Sequence, residues 1–429
     1  MEPKPGDQVE ITTKEGVKQG ILMPQEGESI VIKLENGYNI GIDRKKVEKI
    51  ALVRKHEEHH IKESEPEPKK GLPKIAILHT GGTIASQVDY ETGGVTPKFT
   101  PQDLLNKFPE LKEIANFDSW LMANMWSEDM RFEHYRIMAD EVRKCLEKGY
   151  DGVIITHGTD TLTYTAAALA FELEDVPIPI IIVGSQRSSD RGSTDAAMNL
   201  ICAAEFIAKS DFSGVAICMH ENMADDTCLI LPACKTRKMH SSRRDAFKAI
   251  NDRPIARVDY KTKKIEFLKK DYQKRDPKGR LILKDKFEEK TGLLKAHPNM
   301  VPEEFEFFRG YKGLVIEAYA LGQLPIDAPN EAAKPNLKNA KALKELIDSG
   351  CLVIITTQCI FGRVHPHVYS KAIELKNLGA IYGEDMLTET AFIKLAWLLG
   401  NHKRDEAMKL MTENLRGELN SRIMPDEYL

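Results

Sequence analysis

Long apolar runs are missing from this chain. None approaches the ~18 residues that a membrane span requires, and the opening Met-Glu-Pro-Lys leads into no apolar signal core. Neither secretion nor membrane insertion is expected, which leaves the cytoplasm as the expected compartment. Paired cysteines are missing too: seven cysteines stand at irregular spacings with no CxxC, which argues against a disulfide framework. Cys202, Cys218, Cys228, Cys234, Cys351 and Cys359 each adjoin apolar residues and read as small core filler in a reducing compartment. A formal net charge of −4 gives no broad pull toward a polyanion. There is no GxGxxG, no GxxxxGK[ST] and no GxSxG, so neither a nucleotide cradle nor a serine elbow is expected.

What is present is ample core material: 429 residues, 42% of them apolar, enough for two or three domains. Charged residues make up 29%, above the ~25% of ordinary soluble proteins. That suits an ion-paired, heat-adapted surface, though charge alone is a weak gauge. Residues 1–52 carry short strand-like runs punctuated by Glu15-Gly16 and Asn36-Gly37. Four or five strands in so short a stretch predict a small all-β barrel-like domain, SH3-like or Sm-like in size. Such a sheet buries little and is expected to lean on a neighbour or a partner. Residues 53–73 read as a charged linker, and His56, His59 and His60 within it as solvated side chains rather than a zinc site.

From Lys74 the pattern is α/β. Strands are expected at 75–78, 153–156, 178–183 and 214–219, and helices near 101–106, 132–147, 161–173 and 193–209. Ile137, Met138, Val142 and Leu146 are assigned to one buried helical face. The alternation predicts a mostly parallel, doubly wound sheet. Residues 259–290 are charged and read as exposed hairpins and a crossing between domains, which closes a unit at 74–290. A second α/β unit, 291–429, is expected to hold strands at 313–318 and 351–356. Its helices are expected at 335–348, 368–377, 388–399 and 403–415. No nucleophile cluster falls in it, so it is expected to supply packing, a dimer surface or the far wall of a site.

Two motifs carry chemistry. His79-Thr80-Gly81-Gly82-Thr83-Ile84-Ala85 follows the run Ile75–Leu78, and His157-Gly158-Thr159-Asp160-Thr161 follows Val153–Ile155. Open α/β sheets bind ligands at the carboxyl ends of their strands, so the two motifs are expected to converge. Thr80, Thr83, Thr159 and Thr161 are candidate nucleophiles, each needing a base in hydrogen-bond reach. Gly81-Gly82 lets the backbone turn close to a substrate and offer amides to an oxyanion; alternatively it makes only a tight turn that the threonines cap. Asp160 either caps the following helix or holds a substrate ammonium.

These two motifs resemble the signatures of the bacterial-type asparaginase and glutaminase family, and residues 74 to about 399 fall under the resemblance. It implies a two-domain asparaginase-like fold with a larger amino-terminal and a smaller carboxy-terminal α/β unit. It further implies Thr83 as primary nucleophile, activated by Tyr90 on a mobile loop, and Thr159 with Asp160 from the second signature. Ser127, in Ser127-Glu128-Asp129-Met130, would contact the substrate α-carboxylate. Glu128 stands where many free-standing members have glutamine. The family's lysine falls on Lys238, with Lys235 as fallback, and backbone amides at Gly82 and Gly158 would face the oxyanion. Which threonine carries the acyl group stays open. No metal and no organic cofactor are implied in this chain.

The extra β-rich region and the stretch Lys235-Thr236-Arg237-Lys238-Met239-His240-Ser241-Ser242-Arg243-Arg244-Asp245-Ala246-Phe247 are similar to the archaeal amidotransferase branch of that family. That branch implies a glutaminase component whose ammonia passes to an E-type subunit. There ATP and magnesium serve to convert Glu-tRNA(Gln) to Gln-tRNA(Gln), in a D2E2 heterotetramer with a D homodimer. Within residues 1–52 only Arg44-Lys45-Lys46 forms a compact basic cluster. Direct tRNA grip would need a broader basic surface, so tRNA is expected to bind mainly through the partner. The stretch Ala318-Tyr319-Ala320-Leu321-Gly322-Gln323-Leu324-Pro325 departs from the family's more glycine-rich strand end. Tyr319 and Gln323 would fill space near the site or alter a dimer seam. Two other readings stay open: a free-standing L-asparaginase or glutaminase, and a non-catalytic scaffold on the same fold.

Overall fold

Alternation of side chains builds the first sheet. Strands Gln8–Thr13, Gly16–Leu22, Ser29–Lys33, Asn39–Asp43 and Val47–Arg54 form an antiparallel five-stranded sheet, in the order fourth, third, second, first, fifth. Every second residue points inward, so Val9, Ile11, Leu22, Ile30, Ile32 and Ile42 make one small core. The computed structural model describes residues 3–24, 28–34, 39–55, 68–82, 86–88, 95–97, 108–188 and 193–424. The Asn36-Gly37 turn, the linker histidines, the 101–106 helix, Thr83 and Tyr90 lie outside the described residues.

The second sheet has eight strands. Asn116–Met125, Lys74–Gly81, Gly152–Thr156, Pro179–Val183 and Gly214–His220 run parallel in that spatial order. Thr227–Pro232, Ala256–Asp259 and Ile265–Phe267 extend the sheet antiparallel. The parallel strands are apolar on both faces because helices cover both. Ala76, Leu78, Val153 and Ile155 meet helices Phe132–Glu147 and Leu162–Glu172, while Ile75, Ile77, Ile154 and Ile181 meet Ala196–Lys209. Leu162–Glu172 is buried nearly all round, as expected of a helix between two layers. The Phe132–Glu147 helix corrects one expectation. Its inward stripe is Tyr135, Met138, Ala139, Val142 and Cys145, whereas Ile137 is 43% exposed. Residues 137 and 138 are neighbours in sequence and so cannot share a narrow face.

Thr291–Lys295, Gly313–Ala318, Leu352–Thr357 and Ile381–Tyr382 form a four-stranded parallel sheet. The first and last of these escaped the sequence reading, since one follows a charged stretch and the other is two residues long. Helix Thr388–Asn401 packs on Leu162–Glu172, with the Phe171 and Trp397 rings stacked at 5.3 Å between centroids. The last helix runs Arg404–Leu410 rather than to residue 415. The buried Lys394 ammonium collects the Met411 and Glu413 carbonyls, which turns the chain away from the helix. Cys359 is also corrected. It follows the Leu352–Thr357 strand into a loop and is exposed, while the other six cysteines are buried. Tyr319 and Gln323 pair with each other across a tight turn at the end of Gly313–Ala318. Among the described residues no helix is long and apolar enough to cross a membrane.

Candidate active site

Register brings the two glycine motifs together. Lys74–Gly81 and Gly152–Thr156 are parallel neighbours with His79 opposite Thr156, so the loops beyond them emerge side by side. They pass so closely that only glycine fits. A Cβ on Gly82 would lie 2.5 Å from Gly158 N, and Gly82 itself adopts a φ of +76°. A Cβ on Gly158 would lie 2.7 Å from Ser127 Oγ. Ser127 is buried and follows Asn116–Met125, the other neighbour of Lys74–Gly81. Three adjacent strand ends therefore meet around Gly82, Gly158 and Ser127. Glu128, next in the short turn Ser127–Asp129, is exposed.

The remaining motif side chains divide into framework and free groups. Thr80 donates its hydroxyl to Thr156 O (3.0 Å), and Thr161 donates to Ser127 O (2.6 Å). His157 Nδ1 donates to Gly158 O at 2.7 Å, leaving Nε2 to accept from the Thr165 hydroxyl at 2.9 Å. This pins the loop to the helix behind it. His79 spans Thr156 Oγ1 and Ser119 Oγ, each at 2.8 Å. Burial pushes both imidazoles down to about 4, so both are neutral struts at neutral pH. Thr161 is the residue that precedes helix Leu162–Glu172, and its side chain makes no cap bond to that helix. The Asp160 carboxylate turns instead to a lysine.

That lysine is Lys238. Its Nζ donates to Thr159 Oγ1 at 2.9 Å and to Asp160 Oδ1 at 2.7 Å. The hairpin of Thr236–Lys238 with Phe247–Ala249 presents it from outside the strand-end loops. The three side chains span a gradient of exposure. Thr159 is buried, the Lys238 side chain is 16% exposed and that of Asp160 is 65% exposed. A hydroxyl thus sits next to an amine at the floor, and that amine is paired with a carboxylate at the rim. Lys235 lies elsewhere. Its ammonium is fully buried against Asp385 of the second α/β unit, 2.6 Å from Oδ2 and 2.9 Å from the main-chain carbonyl. Burial lowers its pKa from the ordinary lysine value, against the pull of Asp385.

Sequence reading passed over the loop Gly184-Ser185-Gln186-Arg187. It leaves the fourth strand end, Pro179–Val183, and is held by the buried Asp195 carboxylate. That carboxylate accepts from Gln186 N, Arg187 N and the Ser185 hydroxyl. Gln186 Oε1 accepts the Thr159 hydroxyl at 3.3 Å. The signal available was positional: the loop follows an apolar β-branched run, as both motifs do. Among the described residues, no group of three or more His, Cys, Asp or Glu side chains could hold a metal ion.

Three family models match the chain. Residues 74–273 match the asparaginase N-terminal model, 290–411 the glutaminase/asparaginase C-terminal domain, and 3–53 the GatD N-terminal domain. The D-type subunit of glutamyl-tRNA(Gln) amidotransferase from Pyrococcus furiosus is 47% identical, over 99% of this chain and 97% of its own length. That of Methanosarcina barkeri is 43% identical over 98% and 99%. Among solved structures, the thermostable L-asparaginase from Thermococcus kodakarensis is similar with a TM-score of 0.72 at 28% identity. It covers 81% of this chain and all of its own. L-asparaginase I from Vibrio cholerae is similar with a TM-score of 0.69 at 26% identity, covering 82% of this chain and all of its own.

Proposed function

The chain belongs to the family of D-type subunits of glutamyl-tRNA(Gln) amidotransferase, built on the asparaginase/glutaminase fold, and from that premise we propose how its residues work. It is an amidohydrolase, the glutaminase component of a tRNA-dependent amidotransferase. The hydroxyl of Thr83 attacks the side-chain carboxamide carbon of glutamine, and ammonia leaves as the acyl ester forms. Water then cleaves the ester to glutamate and restores the threonine. Tyr90 takes the Thr83 proton, while the Thr159, Lys238 and Asp160 group moves the second proton. The amides at Gly82 and Gly158 face the oxyanion. Ser127 and Glu128 receive the α-carboxylate and α-ammonium ends of the substrate, and Asp160 shares the ammonium.

The observation that carries this reading is Lys238 Nζ between Thr159 Oγ1 and Asp160 Oδ1, at 2.9 and 2.7 Å. A scaffold protein on this fold has no need of a half-buried amine hydrogen-bonded to a hydroxyl. The presence of the 3–53 domain favours ammonia made for a partner over a free-standing asparaginase. We assign that partner as an E-type subunit with ATP and magnesium, in a D2E2 heterotetramer in the cytoplasm. Glu-tRNA(Gln) is then bound mainly by the partner. The expected boundary at residue 52 moves to 54, because the strand Val47–Arg54 runs two residues further, and the domains divide as residues 1–54, a linker to 73, 74–290 and 291–429. The test is glutamine hydrolysis by the full chain, alone and with an E-type partner and Glu-tRNA(Gln). Strong stimulation is expected; full activity of the isolated chain on asparagine would sink the assignment.

A further inference from the structure

Thr159 has a second neighbour that no motif contains. Its hydroxyl carries one proton and two lone pairs. Lys238 Nζ donates into one lone pair at 2.9 Å, so the proton must point elsewhere. It points to Gln186 Oε1 at 3.3 Å. Turning the Gln186 amide over would aim an N–H at Thr159 and deprive the Thr159 proton of this acceptor. The other end of the same amide is unusual. Gln186 Nε2 is buried and has no hydrogen-bond partner among the described residues, a costly condition for a donor. The backbone beneath it is not free to relax, because Asp195 accepts from Gln186 N and Arg187 N, and Asn199 in turn holds Asp195.

We propose that Gln186 is a positioning residue for the reaction. Its carbonyl fixes the rotation of the Thr159 hydroxyl so that a lone pair faces Lys238. Its unpaired N–H is satisfied by an oxygen acceptor that arrives with the bound substrate. Occupancy of the site and orientation of the Thr159 hydroxyl are thereby tied through one rigid amide. This rests on the reading of Thr159 and Lys238 as reaction groups.

Three variants of the full chain, assayed with its partner for ammonia release from glutamine, test it. Gln186→Met keeps the volume and removes both polar ends. Its kcat should fall on the order of 10- to 100-fold, the range expected when a reacting group is misoriented, and KM should rise. Gln186→Glu keeps the acceptor and removes the donor. Its kcat should therefore stay above that of Gln186→Met, because the Thr159 hydroxyl keeps its acceptor, while KM rises with the lost donor. A lower kcat with KM unchanged upholds the positioning role and assigns Nε2 to a bound water. If Gln186→Met matches the parent in kcat while Thr159→Val is inactive, the proposal fails and the site reading stands. If Thr159→Val is itself fully active, the site reading fails as well. Should Gln186→Met unfold, as judged by its melting temperature, the near-isosteric Gln186→Glu decides alone: a raised KM with kcat largely kept upholds the proposal, and kcat and KM both identical to the parent's overturn it.

Discussion

Two lysines three positions apart should respond oppositely to the same substitution. Lys235 is fully buried, and so is its partner Asp385, whose Oδ1 also accepts Asn420 N at 3.0 Å. Lys235→Met leaves that carboxylate in the interior with its main counter-charge gone. Breaking a buried pair from one side costs about 3–5 kcal/mol, or roughly two to four decades in the folding constant. Lys235→Met with Asp385→Asn keeps an acceptor for Asn420 N and removes both charges, so most of that loss should return. A coupling of about 2 kcal/mol or more between the two sites is the expected signature. Lys238→Met should do the reverse. Its ammonium is partly in water and bound to an exposed carboxylate, so stability should change by less than about 1 kcal/mol. Ammonia release should fall by about 10²- to 10⁴-fold, the usual share of a proton-transfer group. Urea unfolding and glutaminase turnover per folded molecule are measured on the parent, Lys235→Met, Asp385→Asn, their double variant and Lys238→Met. An inactive but fully stable Lys235→Met, beside an active Lys238→Met, would refute the assignment of roles.

The buried imidazoles set a pH limit. His79 and His157 hold pKa values of about 4 in the fold against about 6.5 unfolded, so between these values the unfolded chain binds more protons. The stability from keeping them neutral is complete above about pH 6.5 and drains as pH falls toward 4, by about 3 kcal/mol per histidine. Urea midpoints across that range should show the slope, and His157→Gln should flatten it; an unchanged slope would count against the neutral-strut role. Gly158→Ala drives a methyl into Ser127, so KM for glutamine should rise about tenfold or more, and an unaltered KM would contradict the packing. Removing residues 1–52 should leave the melting of the remaining chain in place and weaken tRNA amidation by the complex. Unchanged amidation would reject a coupling role for the small sheet.

Much of the site was legible because its backbone demands are local. A β-branched run followed by Gly81-Gly82, or by His157-Gly158, announces a strand end where the chain turns tightly. The structure sets these loops together through parallel register. The inward stripe of the 132–147 helix was only partly legible, since periodicity alone gave Ile137 and Met138 the same face. Cys359 looked like core filler because it neighbours Ile360 and Phe361. Its exposure depends on where the loop after Leu352–Thr357 travels, which no local pattern encodes.

By itself the sequence determined the chemistry on offer: hydroxyls, a carboxylate and a basic cluster beside turns that only glycine makes, on a chain with no cofactor signature. Local physics suffices there, because residue type and strand-end position are properties of a few consecutive residues. Only the tertiary structure decided which lysine meets which partner. Lys238 meets Thr159 across 79 positions of chain and Lys235 meets Asp385 across 150, and both lie in one basic stretch. Their fates differ because a three-residue strand, Thr236–Lys238, sends one ammonium outward to the strand ends while the other enters the junction between the two α/β units. The same holds for Gln186, whose side-chain carbonyl meets a hydroxyl 27 positions away. Contacts of that span are set by how sheets stack, and composition or spacing cannot report them.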